Sequence, residues 1–469
     1  MVMYGRTRIN RMLWLVAATL VLGSLIGVGA GLLTLLLYGV EHVMLGYIES
    51  GLIPGPFHVP AVRRAVSVTV GLSIAALAWW LLRTKTEKVP SVKKAVAGER
   101  MPWWQTVVHV VLQIFIVGSG ASIGREVAPR ELGAMLAQRF CDLFRIGVDG
   151  NGTGPADRRM VVAVAAGAGL GGVYDAPLAG MFFAVEILLV DVTIEKVAFG
   201  LGMSATAAFV ASLVKGRHTF YDVTAMQPDY SASLMLFALV CGAICGAAGA
   251  AFRKGSQWAT SHQPKGRGLL WQMPLAGLLT GLVAVIVPQV MGNGRAAAQL
   301  GFSTFMPDVA AVSGASQSSS STAASPWTLL ATGGSSSTGL APHADVPLAM
   351  AGLWAPLGIL AITFIAKAAI TLLTIRSGAS GGVLQPGIAL GATLGAMLGL
   401  VWMLAFPSDS AAACALIGAA ALLSASQQAP LMAMCLVMEL TEAPITFFVP
   451  VGLGVAASAF VSSWLLERR

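Results

Sequence analysis

A chain of 469 residues with 56% hydrophobic and only 11% charged residues, at a mean hydropathy of +0.78, has less than half the roughly 25% charge usual in soluble domains. This excludes a soluble enzyme, a disordered chain and a secreted disulfide scaffold, and indicates a membrane protein with many crossings. The net charge of +8 reads as basic inner loops rather than as a nucleic-acid footprint, so no nucleic-acid partner is expected.

Arg6, Arg8 and Arg11 precede an uncharged run over 12–40, too long for a signal-peptide core. A retained first helix behind a cytoplasmic segment, 1–11, is therefore predicted. A second run, 65–82, leads into Arg83, Lys85, Lys88, Lys93, Lys94 and Arg100, which returns the chain to the inner side after two crossings. Further apolar runs fall at 103–118, 131–144, 160–191, 196–214, 231–252, 268–291, 347–375, 387–406, 410–440 and 447–466. Several are shorter than the ~20 residues a crossing needs and are divided by Gly and Pro rather than by charge, which predicts half-helices meeting inside the membrane. The 54 glycines fit this picture, since they suit close helix packing and helix breaks. The stretch 253–267 is basic and is expected inside, whereas 301–346 is rich in Ser, Thr, Ala and Gly, lacks Lys and Arg, and is expected to form a flexible outer loop. The cysteines (Cys141, Cys241, Cys245, Cys414 and Cys435) have no histidines at ligand spacing and read as small hydrophobes; neither metal nor cofactor is expected.

Two signatures occur twice, in the same order. Ser119-Gly120-Ala121-Ser122 runs through Gly124 to Pro129, and Ser377-Gly378-Ala379-Ser380 runs through Gly381 and Gly382 to Pro386. Ala176-Pro177-Leu178 is followed by Glu186, and Ala429-Pro430-Leu431 by Glu439, each acid ten residues after its alanine. A basic linker precedes the first copy and a non-basic loop the second, so the halves are expected to be inverted. Inverted repeats with discontinuous helices place a substrate site where broken helix ends face one another.

Each copy carries a glycine approach into a helix start, where unpaired backbone N–H groups and the positive end of the helix dipole favour anions. The first copy is charged, Gly124-Arg125-Glu126-Val127-Ala128-Pro129; the second, Gly381-Gly382-Val383-Leu384-Gln385-Pro386, is neutral. Glu126 has two readings: a carboxylate that occupies the anion site and leaves when protonated or displaced, or a local partner of Arg125 that merely offsets the dipole.

These residues, with Ala165-Ala166-Gly167 through Asp175-Ala176-Pro177-Leu178-Ala179-Gly180 to Glu186, and Ala429-Pro430-Leu431 through Glu439-Leu440-Thr441, resemble the CLC family of chloride channels and chloride/proton antiporters, in order over about 12–466. The resemblance implies an all-α polytopic membrane protein, an inverted repeat of tilted and discontinuous helices, with 12–214 and 231–466 as half-repeats. It implies a homodimer in membrane lipid, with chloride as the anion and protons as a candidate second substrate. By resemblance, Glu126 is the gating glutamate, the amides of Val383 and Leu384, with Gly382 beside them, hold the central anion, and those near Arg125 and Val127 form the outer site. It further implies a bacterial-type member of the inner membrane with cytoplasmic termini, without catalytic residues, and, ending at Arg469, without the family's regulatory domains.

Three departures narrow these expectations. The family's Gly-Ser-Gly-Ile-Pro aligns with Thr86-Glu87-Lys88-Val89-Pro90, where no serine stands; Glu87 is expected on a solvated face with Lys85 and Lys88. The family's pore tyrosine should fall near Pro444 or Ile445, and Gly-Arg-Glu-Gly-Pro is longer here by one residue. The inner proton-carrying glutamate aligns with Ile187, leaving Glu186 as the proton-pathway candidate. Channel and antiporter both remain open, as do another small anion such as fluoride or nitrate and a transport-inactive scaffold. An intramembrane serine protease built on Gly378-Ala379-Ser380-Gly381 is disfavoured, because His343 is the last histidine and no base follows the serine.

Overall fold

The computed structural model describes residues 11–51, 53–147, 154–217, 219–223, 226, 229–302 and 350–467. Most of the N-terminal segment 1–11 and of the expected outer loop lies outside the described residues. Gly301 and Phe302, taken as the start of that loop, are instead the buried last residues of a helix.

With no water in the bilayer core to pair with backbone groups, apolar runs satisfy their own N–H and C=O groups as helices. The first half comprises α1 (Arg11–Met44), α2 (Ala61–Lys85), α3 (Val92–Val96), α4 (Trp103–Gly118), α5 (Val127–Leu143), α6 (Pro155–Tyr174), α7 (Pro177–Leu189) and α8 (Ile194–Lys215). The second comprises α9 (Ala232–Ser261), α10 (Leu269–Ile286), α11 (Arg295–Phe302), α12 (Met350–Arg376), α13 (Leu384–Trp402), α14 (Ala411–Gln427), α15 (Pro430–Thr441) and α16 (Phe448–Glu467). Among the described residues, eight helices are long and apolar enough to cross a membrane, while α4, α7, α14 and α15 are shorter apolar pieces. The chain is an integral, multi-pass, all-α membrane protein.

The halves repeat one packing plan. α1 packs on α6 and α8, and α9 packs on α14 and α16; α5 packs on α6 as α13 packs on α14; α2 meets α10, and α7 meets α15, across the repeat. The backbone repeats as well, with left-handed Gly120 (φ 103°) matched by Gly378 (φ 102°), and Asp175 (φ 54°) by Gln428 (φ 56°).

Small residues permit the close approaches. Gly391 and Gly395 of α13 face Gly418 of α14 so tightly that a Cβ on any of them would strike the neighbouring backbone. In lipid, where apolar surfaces gain nothing by leaving water, such small-residue seams allow helices to associate by packing.

Two apolar runs divide where continuous segments were read. The run 160–191 breaks between α6 and α7, and 410–440 between α14 and α15. In each case a left-handed residue, Asp175 or Gln428, turns the chain, and Pro177 or Pro430 begins the next helix. The basic stretch from Arg253 begins inside α9, which continues to Ser261.

Candidate functional site

The two Ser-Gly-Ala-Ser loops meet back to back. Gly124 and Gly382 exchange backbone hydrogen bonds in both directions, each 2.8 Å, forming a two-residue antiparallel bridge between the halves. Gly382 therefore corrects one expectation: its N–H donates to the Gly124 carbonyl and is not offered to an anion. A Cβ on either glycine would overlap the Glu126 side chain where it lies here, so both leave the space that it occupies.

Glu126 stands immediately before α5 and is fully buried. Its side chain crosses to the other half, where Oε1 accepts a 2.6 Å hydrogen bond from the N–H of Leu384, the first residue of α13. The carboxylate thus sits on the positive end of a helix belonging to the opposite repeat. Its Oε2 is buried and, among the described residues, has no hydrogen-bond partner. Val383 precedes α13, Val127 opens α5 and Arg125 lies on the same loop as Glu126, so these candidates belong to the two segments that meet here, and of the candidate amides the Leu384 N–H bonds the carboxylate.

The local Arg125–Glu126 pair is not formed. Arg125 turns away, placing Nη1 3.1 Å from Glu49 Oε1 and its guanidinium over the rings of Tyr174 and Phe220. Arg295 approaches the same carboxylate at 3.8 Å and also lies over Phe220. Glu49 in turn donates its N–H to Glu41 Oε2 at 3.0 Å. Arg130 donates to the Glu126 backbone carbonyl at 2.7 Å and lies over Phe183. Glu126 is therefore held by backbone, and among the described residues its carboxylate has no ion pair.

The Ala-Pro-Leu signatures pair reciprocally. Glu439 accepts from the N–H groups of Leu178 and Ala179 (both 2.8 Å), at the start of α7. Glu186 accepts from those of Leu431 (3.2 Å) and Met432 (2.8 Å), at the start of α15. Each acid caps the helix of the other copy, and both Glu186 oxygens are engaged as a cap; Ile187 beside it packs against the core.

Several neighbours were not legible in the sequence. Buried Tyr221 donates its hydroxyl to Gln385 Oε1 at 2.6 Å, one residue beyond Leu384, while Ile445, where a tyrosine was sought, is 81% exposed. Tyr221 lies in a connection without periodicity, so no pattern marks it. Glu87 and Lys88 are exposed, as a solvated face requires. Ser380 accepts from Arg83 at 2.9 Å and its counterpart Ser122 lies 3.0 Å from Thr371; neither has a histidine partner among the described residues, which leaves the protease reading without a base.

A family model described as voltage gated chloride channel matches residues 70–463. The chain is 27% identical over 368 residues to the H(+)/Cl(-) exchange transporter ClcA of Yersinia pestis bv. Antiqua (strain Angola) and, equally, to that of Yersinia pseudotuberculosis serotype O:3 (strain YPIII). In both cases 76% of this chain is covered, and the match spans 65% of the relative's length. Among solved structures it is similar to a slow cyanobacterial Cl-/H+ antiporter (TM-score 0.71, 19% identity, 96% of this chain and 95% of that one). A CLC-type fluoride/proton antiporter is also similar (TM-score 0.63, 18% identity, 95% of each chain).

Proposed function

The chain belongs to the voltage-gated chloride channel family, and on that premise we propose that it exchanges a small anion, chloride first, for protons across the membrane. The bond from the Leu384 N–H to the Glu126 carboxylate carries the proposal. A helix start that holds a carboxylate can hold a halide in its place, and it does so without a buried cation that would bind too tightly for release. Glu126 is then a tethered competitor of the anion: ionised, it fills the site; protonated, it loses its charge and yields. The amides of Leu384 and Val383 receive the anion on one side, and those near Arg125 and Val127 on the other. The protein is a transporter rather than an enzyme.

The same reading assigns 12–214 and 231–466 as half-repeats and puts both termini in the cytoplasm. Arg100 and Arg158 meet Asp142 and Arg11 meets Asp157, so basic residues gather where α1 begins and α5 ends, and Lys254 reaches the Leu465 carbonyl near the end of the last helix. A plasma membrane of bacterial type and a lipid-embedded homodimer complete the proposal.

The test is efflux from liposomes containing the purified full chain, with internal pH recorded. Wild type should lose chloride while taking up protons, faster as the pH falls. Glu126→Gln, unable to carry a proton, should pass chloride with no coupled proton movement and no pH dependence. An absence of anion flux in both would refute transport. A second reading, fluoride as the preferred anion, is favoured by the fold shared with a fluoride/proton antiporter and by the missing pore serine; fluoride efflux exceeding chloride efflux tenfold would establish it.

A further inference from the structure

Resting on the exchange reading, we infer that His109 and Glu131 form a proton-transfer station on the cytoplasmic side of Glu126. His109 of α4 places Nδ1 2.9 Å from Oε2 of Glu131 on α5, and Gln113, one turn along α4, donates to the same oxygen at 2.7 Å and lies 2.9 Å from Nδ1 as well, so the three side chains form one contact triangle. The acid side chain is 7% exposed and the imidazole 12%. Ionisable side chains in direct contact at membrane depth are functional candidates by default, and an imidazole can both accept and give a proton through its ring nitrogens.

Position gives the pair its role. Glu131 is five residues after Glu126 on α5, about 7.5 Å of helical rise, in the direction of the basic end formed around Asp142. His109 lies two turns into α4 from Trp103, the end of that helix nearer the same basic cluster. Glu186, the acid of the first half named as a proton-pathway candidate, has both oxygens engaged as a helix cap.

The charged groups around the pair do not compete for the proton. On α2, Trp79 packs against the imidazole, and Arg83 is spent on the Trp79 ring and Ser380. On α5, Arg130 is turned to Phe183 and the Glu126 carbonyl. On α1, Val40 and the Leu37 carbonyl face α4 at Gly118, about 14 Å along the helix from His109.

The transfer balances within the pair. The imidazolium gives its Nδ1 proton to Glu131 Oε2, breaking N–H and forming O–H, and leaves a neutral ring and a carboxylic acid. Water relays that proton to Glu126, and the ring is reprotonated from the cytoplasm.

The experiment records chloride efflux and proton uptake together in liposomes for wild type, Glu131→Gln and His109→Gln. Both variants should keep chloride efflux within twofold and lose at least tenfold in proton uptake, with His109→Gln carrying the test if Glu131→Gln does not fold. Proton uptake equal to wild type in the variants, or a matched fall in both fluxes, would overturn the station while leaving exchange intact. Chloride efflux without proton uptake in wild type would overturn exchange and the station together.

Discussion

The two re-entrant loops share a backbone and differ in what they carry. The loop leading to α5 holds Arg125 and Glu126; the loop leading to α13 ends at Val383 and, with Leu384 and Gln385 that open the helix, carries no charge. On the exchange reading the first supplies a movable anion and the second a fixed socket of N–H groups. Had both been charged, two carboxylates would have contested one site; had neither been, the site would have no internal competitor. On that reading, function lies in the broken symmetry of an otherwise faithful repeat.

The strongest way to break that comparison is to remove the movable charge. Glu126→Gln should abolish proton coupling and make chloride efflux independent of pH, as read in liposomes. Next comes the anchor of the charged loop. Arg125→Gln leaves Glu49 buried without its nearer cation, and about 3–5 kcal/mol of stability should be lost by thermal or denaturant unfolding in detergent. Glu49→Gln added to it should restore part of that loss, and strict additivity would mean that the pair is not coupled.

The caps sharpen the symmetric side of the comparison. Glu439→Gln and Glu186→Gln should each cost about 1–2 kcal/mol, and by similar amounts, because each removes a charged acceptor from a two-N–H helix start. A large effect in one and none in the other would argue that the two copies have diverged beyond their loops. The smallest effect is expected at the socket. Tyr221→Phe removes one buried hydrogen bond to Gln385, about 1 kcal/mol, and should leave proton coupling unchanged at equal chloride flux.

The duplicated motifs were readable because Gly, Pro and Glu at matched spacing report backbone requirements, and these are local. Their partners were not readable. Nothing in Ala176 to Glu186 says that the acid caps the other copy's helix rather than its own, since both acids sit at the same distance from a proline. The breaks inside 160–191 and 410–440 were hidden by apolar residues on both sides of the turn. Gly382 was misassigned because a glycine before a helix start can either open its N–H to a ligand or lend it to another strand, and only the facing Gly124 decides. The partnership of Arg125 with Glu49, and the approach of Tyr221 to the site, depend on packing across long separations in the chain.

The bridge between Gly124 and Gly382 has a consequence for biosynthesis. Its two strands lie more than half the chain apart, and Glu126 finds its socket only at Leu384. While the first half alone has entered the bilayer, that carboxylate has neither a helix start to rest on nor a facing glycine to align it. The Glu126–Leu384 contact therefore forms only once α13 has been made, and a ribosome halted before α13 would leave Glu126 without that partner.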